Sequence, residues 1–272
     1  MFNKTALALA LLLGSATASA TTISYGDFSS TAGLQLNNSA ASATDDNGRS
    51  VLRVTPSAYN KAGSAFSTDA ITLAADASFS TKFSFNFNHQ LAGGADGLVF
   101  VVQTVSNTAG GGGGGIGYAG LSNSVGIEFD NYNNGAGDGY SANHVGIDIN
   151  GNVNSVALNT SLSVILDSST DLFAWIDYNG VTDLLEVRLS STDARPDDAL
   201  LSYVVDLASV LGSTDAYVGF TSGTGGAAAN HDVISWEFRD AYDPVTDVPE
   251  PLSIALSGLG LTVLAASRRR RR

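Results

Sequence analysis

Apolar and polar residues alternate in short runs along most of the chain. In the segment FSTKFSFNF, Phe79 is followed by Phe83, Phe85 and Phe87, with Ser84 and Asn86 between the last three. Successive side chains of a strand point to opposite faces, so this pattern predicts a strand with one buried and one wet face. Further runs of β-branched and aromatic residues fall at 51–54, 98–102, 172–176, 184–189 and 233–238. Clusters of Gly, Asn, Asp and Ser separate them, as turns require. Helical periodicity is confined to 206–211, enough for one or two turns. Strands that recur without helices of crossover length between them predict an all-β fold, an antiparallel β-sandwich or jelly roll.

The two ends depart from this pattern. Lys4 precedes an apolar run at 6–13, and Ala18-Ser19-Ala20 fits a small-residue cleavage site. Residues 1–20 therefore read as a secretory signal peptide, removed by signal peptidase to leave a chain beginning at Thr21. At the other end Pro249-Glu250-Pro251 leads into an apolar run at 252–266 and five arginines at 268–272. The run is short for a bilayer span, which needs roughly 18–20 residues, and the arginines would hold its end in the cytoplasm. This arrangement over 249–272 resembles the PEP-CTERM sorting signal of Gram-negative bacteria. The resemblance implies transient association with the inner membrane, cleavage by an exosortase, and a product secreted or held at the cell surface. A permanent single-span anchor is the alternative. Between the ends lie a body at 21–240 and a linker at 241–248.

Charge narrows the partners. The full chain carries −13; without both processed ends, 7 basic and 25 acidic residues leave −18. Such a body has no basic patch for releasing counterions from nucleic acid and is repelled by anionic membranes. With no cysteine, an exported chain is stabilised without disulfides. About 220 residues suffice for one large β domain. Acidity also serves solubility, which accounts for most of these carboxylates. Yet only four of the acids are glutamates, and Glu128 is one of them.

Glu128 belongs to VGIEFDNYNNGAGDGYSANHVGIDIN, residues 125–150. Glu128 and Asp130 are two apart on a predicted strand and so share a face. The following Gly- and Asn-rich loop can fold back to offer Asn134, Asp138 and a backbone carbonyl such as that of Tyr132. His144 opens the next strand and can reach the same place. Calcium takes six to eight oxygens in flexible geometry, whereas a transition metal such as manganese accepts oxygen together with imidazole nitrogen. The set therefore reads as a candidate divalent-cation site, although Asn/Asp/Gly-rich surface loops are common without one. The glycine tract at 110–115 is not followed by Gly-Lys-Ser/Thr and is no phosphate loop.

This region resembles the metal-binding region of the legume-type lectins, with its Val-x-Val-Glu-Phe-Asp-Thr-Tyr/Phe-x-Asn strand, variable loop with Asp, and His-Ile/Val-Gly-Ile-Asp. Two further stretches resemble that family in order and position. One is Ala95-Asp96-Gly97-Leu98; the other is Val218-Gly219-Phe220 with Thr224-Gly225, followed by His231 and Ser235-Trp236-Glu237-Phe238. The resemblance spans nearly all of 21–240 and implies a concanavalin A-like lectin fold. It further implies that Glu128, Asp130, Asp138 and His144 bind a transition metal, usually Mn2+, and that Asp130, Asn134, Asp138 and the Tyr132 carbonyl bind Ca2+. Asp96, after a cis peptide, would accept hydrogen bonds from two sugar hydroxyls, and the Asn134 amide would donate to the sugar. A glycine N–H, best matched by Gly117 with Gly115 next, would complete the pocket; Tyr132 would offer an aromatic face. The loop with Gly226 and Ala227, which in the family helps set specificity, brings only backbone groups here. Asn131 for the usual threonine, Gly139 for a frequent proline and the inflated glycine tract depart from the family pattern.

The expectation is a metal-dependent, non-catalytic carbohydrate-binding protein acting on a glycan or exopolysaccharide. Some glycoside hydrolases share this sandwich, but they carry Glu-x-Asp-x-(x)-Glu on one strand, retaining hydrolysis needing two carboxyls about 5–5.5 Å apart. Here Asn131, Tyr132, Asn133 and Asn134 follow Glu128-x-Asp130, and Glu186 and Glu237 lie far along the chain. His89, beside a predicted strand end, and His231 belong to no readable Ser/His/Asp set. A structural surface or matrix protein on the same sandwich is the alternative. A shallow pocket binds weakly, so a homo-oligomer would add avidity.

Overall fold

The computed structural model describes residues 22–108 and 113–245. The signal-peptide and sorting-signal expectations fall outside these residues, and no helix within them is long and apolar enough to cross a membrane. In chain order the strands are β1 (Thr22–Tyr25), β2 (Leu34–Asn38), β3 (Ala41–Thr44), β4 (Ser50–Thr55), β5 (Ala62–Ser67), β6 (Ile71–Thr72), β7 (Phe79–Leu91) and β8 (Gly97–Gln103). They continue as β9 (Ser124–Asp130), β10 (His144–Ile149), β11 (Asn152–Asn159), β12 (Leu172–Asn179), β13 (Leu184–Ser190), β14 (Leu201–Val204), β15 (Asp215–Gly223) and β16 (Ala228–Arg239). The helical pattern at 206–211 appears as one short helix, α1 (Leu207–Leu211), capped at its start by the Asp206 carboxylate, which accepts from Ser209 N–H.

The strands form two antiparallel sheets of a jelly-roll sandwich. The first runs β14-β13-β12-β7-β16-β4-β3 with β1 also on β16; the second runs β11-β10-β9-β8-β15-β5-β2 with β6 also on β15. Phe83 shows why they pack. From β7 its ring meets Phe100 of β8 at 6.0 Å, Phe129 of β9 at 5.7 Å and Phe220 of β15 at 5.0 Å, three strands of the opposite sheet. Trp236 of β16 stands 5.1 Å from Phe220, and its indole N–H donates to Thr81, so the one polar atom of the ring is satisfied in the core. A second cluster, including Val99, Val101, Ile116 and Tyr118, fills the outer face of the second sheet under the loop that follows residue 112.

The alternation at 79–87 predicts a shorter strand than the one formed. β7 continues to Leu91, so His89 lies within the strand rather than beside its end. The cause is a bulge: Leu91 pairs with Ala228 and Asn88 with Asn230, one extra residue on β7, and His89 absorbs it at φ 55°. Truncating the ring that joins both sheets, Phe83→Ala, is expected to cost about 3–5 kcal/mol in a chemical-denaturation curve.

Candidate functional site

Pairing across the second sheet lines four strand ends in one row. Gly223 of β15 lies opposite Gly97 of β8, Gly97 opposite Asp130 of β9, and Asp130 opposite His144 of β10. Residues directly opposed, or two apart on one strand, share a face. Glu128, Asp130, His144 and Asp148 therefore point away from the core, while Val125, Ile127, Phe129, Val145 and Ile147 point into it. Gly146 keeps this outer face open, since a Cβ there would collide with Ser155 Oγ and Glu128 Oε1.

Glu128, Asp130 and His144 are all buried, and each offers a ligand atom within 4.8 Å of the others. His144 Nδ1 lies 3.1 Å from the Ser141 carbonyl, which can only accept. That contact puts a proton on Nδ1 and makes Nε2 the atom that a cation would take. Nε2 makes no hydrogen bond and stands 3.5 Å from Glu128 Oε1, a spacing suited to two ligands each about 2.0–2.6 Å from one ion. Ser155 Oγ donates to Glu128 at 2.6 Å, and Tyr132 N–H donates to Asp130 at 2.6 Å. Asp138, on the loop, is buried and accepts from Asn134 N–H, but it stands outside the tight trio.

Among the described residues these acids have no Lys or Arg partner. Burial pushes the Asp130 carboxyl well above its usual range, and the charges of Glu128, Asp138 and Asp96 add to the effect against the Tyr132 N–H. Burial, and then the charge of Glu128, lift Asp148 to about 9. A hydrogen bond shared with Glu128 adds to the rise against one from Ser155, so at neutral pH this carboxyl keeps its proton. A buried imidazole facing buried carboxylates without a Lys or Arg partner is a donor set that fits a divalent cation. Asp148 went unread as a site residue, although its spacing of four from His144 puts it on the same strand face.

The other half of the corner is built around Asp96, beside this set. The peptide between Ala95 and Asp96 is cis, as the family pattern implies. Asp96 N–H donates to the Gly223 carbonyl at 3.0 Å, and its own carbonyl accepts from Asn131 N–H at 3.2 Å. Asp96 is buried, its Oδ2 has no partner, and burial raises the carboxyl to about 6. A Cβ on Gly225 would stand 3.4 Å from that oxygen and 3.9 Å from Gly113 Cα, and one on Gly114 would stand 2.8 Å from Asn134 Oδ1. Asp96, Gly225, Gly113, Gly114 and Asn134 thus form a continuous rim.

The glycine against Asn134 is accordingly Gly114 rather than Gly117, and Gly115 instead sits 2.8 Å, by the same measure, from Ala119 Cβ. Gly117, at φ 74°, lies against Thr221 and Ser222 of β15. The short 3-10 turn Gly113–Gly115 folds the end of the glycine tract back over the rim, which counting along the sequence misses. Tyr132 is 39% exposed. Gly226 is exposed with open space around it, and Ala227 is buried, its carbonyl accepting from Gly225 N–H at 3.1 Å. His231 is buried with Nδ1 2.7 Å from Thr55 Oγ1, and burial lowers it to about 3, so it is a neutral core residue.

Sandwich, acid–histidine corner and the adjoining rim around Asp96 define a jelly-roll β-sandwich protein with a candidate cation-supported binding site at one end. The chain belongs to the legume lectin family: the family model described as legume lectin domain matches residues 20–252. Among curated relatives, L-type lectin-domain containing receptor kinase VIII.1 of Arabidopsis thaliana is 30% identical over 200 residues, 71% of this chain and 26% of that protein. Probable receptor kinase S.7 of the same plant is 35% identical over 182 residues, 60% of this chain and 26% of its own. The chain thus spans about a quarter of the length of these relatives. Among solved structures, basic winged bean lectin with Tn-antigen is 27% identical with a TM-score of 0.67, covering 81% of this chain and 98% of that one. Winged bean acidic lectin complexed with methyl-α-D-galactose is 26% identical, also at 0.67, with the same coverage.

Gly97 holds the corner together. At φ 145°, a Cβ there would stand 2.5 Å from the Phe129 carbonyl oxygen. Gly97→Ala is expected to cost about 2–4 kcal/mol, read from denaturant midpoints, because β8 and β9 must part at this point.

Proposed function

We propose that this protein is a non-catalytic, metal-dependent lectin, exported through the inner membrane of a Gram-negative bacterium to the cell surface or exopolysaccharide. The observation that carries the reading is the buried Asp96 oxygen without a partner, on a rim shared with Asn134 and beside the Glu128, Asp130 and His144 trio. An unsatisfied buried acceptor at the mouth of a pocket awaits a donor from outside, and vicinal hydroxyls supply two. Glu128, Asp130, Asp138 and His144 would hold a transition metal, Mn2+, with Asp130, Asn134, Asp138 and the Tyr132 carbonyl holding Ca2+. The cations would supply positive charge that lets the carboxylates stay ionised while fixing the loop against the sheet.

In this reading Asp96 accepts from two hydroxyls, Asn134 donates its amide N–H, a backbone N–H of the Gly113–Gly115 turn completes the donors, and Tyr132 covers the C–H side of the ring. Gly226 and Ala227 offer backbone groups alone. The complexes of the winged bean lectins with Tn-antigen and with methyl-α-D-galactose support a saccharide as the ligand class. Against hydrolysis, the other two glutamates among the described residues lie on the first sheet, Glu186 paired with Arg188 and Glu237 with Arg239. Processing by signal peptidase and an exosortase, and avidity through a homo-oligomer, complete the proposal.

Asp130→Ala is expected to abolish bound divalent cation in elemental analysis. It should also remove the EDTA-sensitive part of thermal stability, about 3–4 kcal/mol at saturating cation, or roughly 10 °C. With EDTA present the variant should melt at or above the wild type, because an uncompensated buried carboxyl is gone; a wild-type melt unmoved by EDTA defeats the reading. Asp96→Asn keeps shape and size but loses a charged acceptor. On a glycan array run with Ca2+ and Mn2+ it should bind at least about 100-fold more weakly with its melting temperature unchanged.

A further inference from the structure

A second concave feature lies on the outer face of the first sheet, across the Leu91–Gly94 turn from Asp96, and the proposed function makes no use of it. A groove of ≈ 520 Å³ is floored by Arg53 of β4 and Asn230 of β16 and walled by Ser57, Asp46, His89 and Leu91. A smaller groove of ≈ 160 Å³ adjoins it, sharing Asp46 and His89. The two sites are close along the chain: Gly94 N–H donates to the Leu91 carbonyl at 3.2 Å, closing a tight turn that leads straight to Asp96. The ends of such a turn lie within about 7 Å of one another. The loop after β4 joins both places, since Ser57 Oγ donates to the His89 carbonyl while Asn60 N–H donates to the Gly225 carbonyl at 3.2 Å.

The polar groups of this groove are oriented in advance. Asn230 accepts from Ser57 N–H at 2.7 Å and donates to Asn88 Oδ1 at 2.8 Å, and Asn88 donates in turn to Asn86 at 3.0 Å. Side chains already locked lose little entropy when a ligand arrives. Leu91, 38% exposed, adds an apolar patch at the end nearest Asp96. Charge selects the ligand. Arg53 is matched by both oxygens of Asp232, and Arg49 by Asp45 and Asp171, leaving Asp46 the outermost charge with His89 Nε2 2.9 Å away. An anionic sugar finds no unmatched cation there, whereas hydroxyls find a carboxylate, amides and an imidazole.

We propose that this groove is a second saccharide subsite, taking a neutral sugar unit of the same glycan whose terminal residue occupies the Asp96 pocket. The proposal rests on the lectin reading. Asp46 and His89 have side chains 78% and 53% exposed; because His89 holds φ 55° in the β7 bulge, the melting temperature of His89→Ala is read beside its affinities, and Asp46→Ala, outside the bulge, tests the groove by itself. The test measures affinities of the full chain with Ca2+ and Mn2+ present, for galactose, N-acetylgalactosamine, mannose and fucose. It then uses neutral di- to tetrasaccharides ending in whichever of these binds, and uronate-containing oligosaccharides of equal length. The neutral oligosaccharide should bind about tenfold tighter than its terminal sugar. Asp46→Ala and His89→Ala should erase that gain while leaving monosaccharide affinity unchanged, and the acidic oligosaccharides should gain nothing. Equal affinity for long and short neutral ligands, a gain that survives both substitutions, or an equal gain for the acidic series overturns the subsite while the Asp96 pocket stands. Absence of binding to every saccharide, with Asp96→Asn without effect, overturns the lectin reading and the subsite with it.

Discussion

The close approach of β8 to β9 at Gly97 is the contact on which the loop end of the molecule depends. Because Gly97 lies opposite both Asp130 and Gly223, one glycine fixes the row from β15 to β10. Asp96, just before it in the chain, then has its N–H bound by Gly223 and its carbonyl by Asn131, so its backbone is held on both sides. A side chain at position 97 would press on the Phe129 carbonyl, and Phe129 is a core ring against Phe83 and Phe85. The corner is thus coupled to the aromatic core through backbone alone.

That coupling explains how a chain tolerates several carboxyls in so small a space. An isolated buried charge is costly, and the ordinary outcome is protonation. Asp148 follows that route with a carboxyl pushed up to about 9, and Asp130 shifts the same way. The aromatic core supplies the stability that holds such a set together, with Phe83 alone joining four strands. The acids on the first sheet behave differently: Asp232 and Asp171 sit against arginines, and Asp171 is held below the usual carboxylate range chiefly by its hydrogen bonds from Arg49. Two kinds of acidity therefore coexist, one paired with arginines and one with no Lys or Arg partner among the described residues.

Much of this was legible in the sequence because alternation reports burial directly. The strands at 79–91, 97–103 and 124–130 carry large residues on the core face, and Glu128 with Asp130 announce their shared face by spacing. β5 and β11 were less visible. β5 reads AGSAFS, small residues buried on both faces, and β11 reads NVNSVALN on a sheet edge where little is fully buried. Neither offers the contrast between large apolar and polar positions that marks a strand. The glycine facing Asn134 could not be found by counting, because a 3-10 turn within a run of identical residues leaves no sequence mark. The polar groove was invisible for another reason: Thr44, Asp46, Arg53, His89 and Asn230 come from four separated segments and read individually as a wet sheet face.

The composition of the pocket rim bears on how recognition is divided. Gly113, Gly114, Gly225, Gly226 and Ala227 present backbone rather than side chains, so on the proposed reading the rim would discriminate through a few fixed N–H and C=O groups and through Asp96 and Asn134. Hydrogen bonds exchanged against water leave only modest net free energy each, and so few contacts cannot combine tight binding with fine selectivity. On that reading, selectivity would come from surfaces that touch the next sugar units. On this molecule the side-chain-rich concavity beside the rim is the one across the Leu91–Gly94 turn, and it carries its amides in fixed orientations. A glycan reaching both places would be anchored by a spare backbone-lined pocket and distinguished by a polar groove, two tasks that the sequence assigns to residues of different kinds.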